Sequence, residues 1–230
     1  MVNGTDEMYC VFLGRATATN APGAGSVGTA QIADDAVTTA KITDANVTLD
    51  KLSATGTKDA TTFLRGDNTF AGAGITQAQQ WRITSSFTFS TVQDIDSNWE
   101  ISDATGYGSI GSNLTQSSGI FTFPSTGYYL IMATFQFRRN TGDRGIGGNI
   151  NVTTNNSSYS IVSSVEVNNS DVGGASNTTY AGDCQTIIDV TDTSNVKFKL
   201  TIQTTSTDQT CDGDTSRNYT GFVCVRLGDT

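Results

Sequence analysis

This 230-residue sequence predicts an all-β fold: an antiparallel sandwich of about ten short strands, preceded by an extended repetitive segment with little regular secondary structure. Three observations predict it. Sixteen of the twenty aromatic residues fall in residues 76–230 and none lies between Phe12 and Phe63, so only the C-terminal part can build an ordinary core. Within that part, β-branched and alternating runs are separated by clusters of Gly, Asn, Ser and Thr, with no clear helical pattern. Upstream, aliphatic residues recur at every fifth position from 32 to 52. That spacing fits neither the 3.6 period of a helix nor the 2 of a strand.

Composition narrows the function. Lys and Arg number 13 against 22 Asp and Glu, a net charge of −9, which disfavours nucleic acid and anionic membranes as partners. There is no histidine, so His-based triads, His metal sites and the commonest general base are excluded. No apolar run approaches the ~20 residues of a membrane span, and residues 1–7 lack the basic region of a secretory signal. The expectation is a soluble chain that is not an enzyme, with no cofactor and no metal.

Taken in order, residues 1–20 hold one apolar run, Met8-Tyr9-Cys10-Val11-Phe12-Leu13, read as a single strand. Alone it has nothing to pair with in these residues, so either it docks on a partner, with Tyr9, Val11 and Leu13 as anchors, or it is the remnant of a further domain. Residues 21–75 follow as linker, shaft and junction, and 21–29 is linker by composition. In the repeat, Ile32, Val37, Ile42, Val47 and Leu52 form five aliphatic layers. One aliphatic residue in five cannot fold alone, but three copies around a common axis would bury each layer. A homotrimeric shaft is therefore expected. In the sandwich, strands are expected at 81–89, 92–101, 119–123, 127–137, 149–154, 160–167, 184–190, 196–204 and 219–227. Residues 127–137 are apolar at nearly every position, as in a strand buried on both faces.

The cysteines at 10, 184, 211 and 224 form no CxxC and are wrongly spaced for zinc. They read as small buried side chains. A Cys184–Cys211 bridge is the sharper alternative, because only this pair brackets a hairpin and its trailing loop. Arg65-Gly66-Asp67 reads as a junction turn rather than an integrin tripeptide. Nine Asn-x-Ser/Thr sequons follow from the Asn, Ser and Thr content. Asp208, Asp212 and Asp214 could hold calcium, but their spacing is not that of an EF-hand and a solvated loop is favoured. No carboxylate pair is singled out for glycosidase chemistry.

Gly119-Ile120-Phe121-Thr122-Phe123-Pro124-Ser125-Thr126-Gly127-Tyr128-Tyr129-Leu130 resembles the central signature of the complement globular-head and tumour-necrosis-factor-like jelly rolls, and Tyr219-Thr220-Gly221-Phe222 is similar to their last strand. Over residues 79–230 the resemblance implies a ten-stranded jelly roll that forms tight trimers. The pentads, with Phe63-Leu64-Arg65-Gly66-Asp67, resemble the shaft and shaft-to-head junction of bacteriophage tail fibres. Residues 6–14 look like the last strand of an attachment domain in such fibres.

In a jelly roll successive strands alternate in direction, so alternate loops share an end. Counting back from 219–227 puts loops 102–118, 138–148, 168–183 and 205–218 at the tip and the short turns 124–126, 155–159 and 191–195 at the stalk. A rigid sandwich with long loops at one end suits recognition. The tip candidates are Tyr107, Arg138, Arg139, Asp143, Arg144, Tyr180, Asp208, Asp212, Asp214 and Arg217, whose forked donors, acceptors and flat rings suit sugar or a polar protein surface. The sequence thus points to a viral fibre in the virion, made in the host cytoplasm. It would bind tail or capsid proteins through its N-terminus and a host glycan or protein receptor through its head. A capsid-attached decoration protein is the alternative, and a polysaccharide depolymerase is a weaker one.

Overall fold

The computed structural model describes residues 22–60, 62–72, 74–139, 145–168, 178–205 and 209–230. The anchor candidates Tyr9, Val11 and Leu13, and the loop residues Asp143, Arg144 and Asp208, lie outside them. Two compact units emerge. One comprises the described residues up to Lys58 together with Leu64–Phe70, and the other comprises Asp59–Phe63 with Ala71–Thr230.

The first unit repeats every ten residues rather than every five. Short 3-10 turns recur at Thr29–Gln31, Thr39–Lys41 and Leu49–Lys51. Four residues ahead of each, Gly25, Asp35 and Ala45 take left-handed backbone, with φ of 75°, 60° and 68°. The hydrogen bonds recur in step: Ala36 N donates to Ala33 O and Asn46 N to Thr43 O, each at 3.0 Å. Lys41 Nζ reaches Ala36 O, and Lys51 Nζ reaches Asn46 O at 3.0 Å. The aliphatic residues thus alternate between two backbone settings, so two pentads make one structural repeat. The pattern already includes residues 22–31, where composition alone suggested a linker. The spacing of side chains was legible, but the alternation of backbone was not.

The strands in chain order are β1 Thr62–Leu64, β2 Phe70–Gly72, β3 Ala78–Ile83, β4 Phe87–Phe89, β5 Gln93–Asp94, β6 Trp99–Ile101, β7 Thr115–Ser117 and β8 Ile120–Thr122. They continue with β9 Gly127–Arg139, β10 Gly145–Thr153, β11 Ser160–Asn168, β12 Thr179–Val190, β13 Lys197–Thr204, β14 Gln209–Cys211 and β15 Gly221–Gly228. β1 and β2 pair as a two-stranded ribbon. In its turn Arg65 N donates to Thr69 O at 2.7 Å, and Asp67 Oδ1 accepts from Thr69 N and Oγ1 at 3.1 and 2.6 Å. Arg65-Gly66-Asp67 is therefore turn chemistry.

The sandwich is all-β and antiparallel. One sheet of six strands runs β11-β10-β13-β8-β7, with β5 on β13. The other, of seven, runs β4-β14-β9-β15-β3-β6, with β12 on β9. β12 covers one edge of β9 from Gly127 to Arg138, and β15 and β14 share the other edge end to end. Alternate side chains of both sheets fill the space between them. Phe121 is central, with Phe222, Phe198, Trp99 and Trp81 at ring-centroid distances of 4.7, 5.0, 5.1 and 5.3 Å. Tyr129 is buried beside Phe123, and its hydroxyl lies within hydrogen-bond reach of Gln77 Oε1 and Ser125 O at 3.1 and 3.0 Å.

Several strand expectations are corrected. Residues 81–89 and 92–101 each break into two short strands, at Ser85-Ser86 and at Asp96-Ser97-Asn98. β10 starts at Gly145, inside the stretch read as loop, and β14 lies inside the loop read as 205–218. β9 is not buried on both faces. Its inward residues are buried, whereas Tyr128 and Met132 on the outward face are exposed.

Candidate functional site

The chain enters the sandwich at β3, and that near end is fixed by register. Ala78 pairs with Val225, Gly127 with Val190, and Asn156 N donates to Asn195 O at 3.0 Å. The three short turns therefore gather there, as the strand count predicts. β9, β11 and β13 end at the far side and β10 and β12 begin there.

Residues 102–118 do not belong to the far end. Ile110 pairs with Ala78, with N–O distances of 3.1 and 2.8 Å, so this segment runs back to the near end along the sheet edge. Its place at the far end is taken by residues after Ile83, where β4 pairs with β14. Tyr107 is correspondingly not a tip residue. It packs its ring 5.9 Å from the guanidinium carbon of Arg82. Arg82 is wholly buried on the outward face of β3, donating through Nε to Glu100 and through Nη2 to Asp103, each at 2.7 Å. Sequence reading gave Arg82 no role.

At the far end the structure joins Arg138, Asp212, Asp214 and Arg217. Asp212 follows β14 and is 3% exposed. Its backbone N donates to Gln136 O at 2.9 Å. Its carboxylate accepts from Arg138 Nη2, from Ser86 Oγ at 3.4 Å and from Gln136 Nε2 at 3.3 Å. The Arg138 side chain remains 41% exposed, and the Asp212 carboxylate raises its already high pKa. Asp214 caps the next turn. Its Oδ1 accepts from Ser216 N and Oγ, both at 2.7 Å, and from Arg217 N at 3.0 Å, which holds its carboxyl below the usual carboxylate range. Arg217 Nη1 then donates to Tyr219 Oη at 3.0 Å. Thr220 Oγ1 accepts from Gln136 N at 3.1 Å, which fixes this loop against β9. Two arginine side chains are thereby pinned by one bond each and still face solvent. Tyr219 and Gln136 were not among the sequence candidates. Their signal was weak: an aromatic two positions from an arginine, and a polar residue in an apolar strand.

The remaining candidates divide. Arg139 closes β9. Tyr180 lies on β12 opposite Phe137 and is half-buried. Calcium through Asp212 and Asp214 is not supported, since both carboxylates are engaged as described. Among the described residues no group of three or more His, Cys, Asp or Glu side chains could hold a metal. The Cys184–Cys211 bridge is overturned. Cys184 pairs with Ala133 across one edge of β9 and Cys211 with Phe137 across the other. They are separated by about 10 Å sideways and by four residues along the strand, too far for a disulfide. Cys184, Cys211 and Cys224 are all free and buried.

The outward face of the seven-stranded sheet is apolar towards the near end. Leu130 stands beside Val225 and Ile187, and Met132 beside Val223. A concavity of about 490 Å³ opens there, lined by Met132, Thr134, Asp183, Gln185 and Val223. In the six-stranded sheet β10 and β13 share a polar network, while the edge strand β11 exposes Ile161 and Val162. Asn149 and Asn151 donate to Thr201 Oγ1 at 3.2 and 2.8 Å, and Lys199 pairs with Asp94 at 2.7 Å under the ring of Tyr159.

No family model and no curated protein matches the chain. Among solved structures it is similar to murine APRIL at pH 8.5, with 12% identity over 66% of this chain and 98% of that one and a TM-score of 0.46. It is also similar to the Eiger TNF from S. frugiperda, with 14% identity over 66% of this chain and 93% of that one and a TM-score of 0.46.

Proposed function

We propose that this chain is a homotrimeric fibre protein of a virus particle. Its N-terminus would attach to tail or capsid proteins, and the far end of its sandwich would bind a glycan or protein on the host surface. The observation that carries the reading is the exposure of the repeat's aliphatic side chains. Val27, Ile32, Val37, Ile42 and Val47 are 40–57% exposed at regular intervals on a backbone that satisfies its own hydrogen bonds through turns. Such a row is costly in water and is covered when three copies run side by side. The sandwich carries a second pair of surfaces. The apolar sheet face around Leu130, Ile187, Met132, Val223 and Val225 matches in character the exposed Ile161 and Val162 on β11. Two different patches on one copy suit a head-to-tail contact, which closes as a ring of three when each contact turns by a third of a circle.

Assembly then leaves the far end of the sandwich, with Arg138, Asp212 and Arg217, opposite to the end at which the chain enters. Three such ends on each fibre, and several fibres on a particle, turn weak contacts into tight attachment. The viral assignment rests on the resemblance of the repeats and of Phe63–Asp67 to phage fibre shafts. The reading assigns the protein binding rather than catalysis.

Sedimentation of the purified chain tests assembly, with a trimer expected at micromolar concentration. Adsorption of the labelled full chain to a panel of bacterial hosts tests the receptor role. Deleting residues 1–20 should abolish incorporation into particles and leave adsorption intact. A stable monomer, or failure to adsorb to any host of the parent virus, overturns the reading.

A further inference from the structure

We propose that the two arginines at the far end, Arg138 on β9 and Arg217 beside Tyr219, form a recognition fork for an anionic group on a saccharide, a carboxylate or a phosphate ester. The inference rests on the receptor-binding reading above and names the chemistry of the ligand.

A guanidinium presents five N–H donors. Arg138 spends one on Asp212, and the carboxylate it meets is itself nearly buried and fixed by Ser86 and Gln136. Arg217 spends one on the Tyr219 hydroxyl. Its loop is set by the Asp214 cap and by Thr220 on β9. Both groups therefore keep open donors, and the bond that each already makes reduces the side-chain freedom to be lost on binding. A planar fork of this kind matches the two oxygens of a carboxylate or phosphate.

Charge points the same way. The chain carries −9 overall, so exposed arginines placed together must be held by local structure. Their nearest carboxylates are already engaged, Asp212 from inside and Asp214 in its turn. Thr220, next to Tyr219 in the chain, bonds to Gln136 two positions before Arg138, so the Arg217–Tyr219 contact lies beside the strand that carries Arg138. The surroundings favour a sugar over a protein. Ser86, Gln136 and Ser216 beside the two arginines are polar, and the apolar face around Leu130, Met132 and Val223 lies elsewhere on the seven-stranded sheet.

The test uses the full-length chain and four immobilised probes: polygalacturonate for the carboxylate, poly(glycerol phosphate) for the phosphate, neutral dextran, and polyglutamate. Binding to one of the first two is expected, with dextran and polyglutamate silent. The decisive variants are Arg138→Lys and Arg217→Lys, which keep the charge and remove the fork. Each should weaken binding about tenfold, the value of one hydrogen bond to a charged group, with thermal melting unchanged. Arg217 is exposed, so its variant folds independently of the outcome at Arg138. Equal binding by both lysine variants would show that charge alone attracts the polymer and overturn the fork. Equal binding of polyglutamate would transfer the site to acidic proteins, equal binding of dextran would remove the anion, and silence on all four would remove the site. Adsorption to host cells without binding to any probe overturns this inference alone. Loss of cell adsorption overturns the receptor-binding reading on which it stands.

Discussion

The ring of Phe135 occupies the place that a side chain on Gly148 would need: a Cβ there would lie 2.4 Å from Phe135 Cγ. Phe135 on β9 is fully buried, and Gly148 on β10 faces it across the sandwich. The glycine is what lets the two sheets approach at this point.

Gly148→Ala should therefore destabilise the sandwich by about 1–3 kcal/mol through overpacking. Urea denaturation followed by tryptophan fluorescence reads this directly, because Trp81 and Trp99 sit in the same core. A midpoint equal to that of the parent would contradict the packing described.

Ile42→Asp should weaken assembly of the repeat. In a trimer it places three carboxylates in one aliphatic layer, an unpaired buried charge that costs on the order of 3–5 kcal/mol. Analytical ultracentrifugation across a dilution series should show dissociation at higher concentration than for the parent. Met132→Asp makes the same test of the sheet face. If neither shifts the equilibrium, these surfaces do not carry the assembly.

Burial pushes the thiols of Cys211 and Cys224 up to about 12 from a usual value of 9.0. Between those values the unfolded chain releases protons that the folded chain retains. Stability contributed by the two thiols is complete below pH 9 and is lost as pH rises towards 12, by up to about 1.4 kcal/mol per pH unit for each thiol. Chemical denaturation from pH 8 to pH 10.5 should show this decline, and Cys224→Ala should flatten it. In a Cys10→Ser background, native protein should react slowly with a thiol reagent at pH 8, and unfolded protein should titrate three thiols, Cys184, Cys211 and Cys224. Two fewer would restore a disulfide.

Asp212→Ala should lower the melting temperature by removing the acceptor shared by Arg138, Gln136 and Ser86. The expected cost is about 1–3 kcal/mol, that of an orphaned buried polar cluster. It is moderated because Arg138 can turn to water. Asp212→Asn should cost less. Differential scanning calorimetry separates them, and equal melting of all three proteins would show that the carboxylate does not organise this end.

Much of the sandwich was legible because strand signals are local. The alternation through Lys197–Thr204, the turn residues Pro124 and Gly127, and the aromatic content of the C-terminal part each act over a few residues. They fixed the fold class and the ends at which the short turns lie. The site was partly legible in the same way: Arg138, Asp212, Asp214 and Arg217 were named because polar residues in long connections stand out. What joins them was not. Arg138 and Asp212 are 74 residues apart, and their meeting depends on β14 pairing beside β9, a three-residue strand without a sequence signal of its own.

By itself the sequence determined where apolar side chains recur, and so an all-β sandwich behind a repeat that leaves its aliphatic residues uncovered. Tertiary structure decided the rest. Gly145-Ile146-Gly147-Gly148 reads as a loop by propensity and becomes strand because Phe135 packs on the bare backbone. Residues 102–118 run to the near end because Ile110 pairs with Ala78. The two cysteines stand apart because β9 lies between them. In each case the deciding term is a contact between residues distant in the chain, and its energy appears only once the sheets have closed on one another.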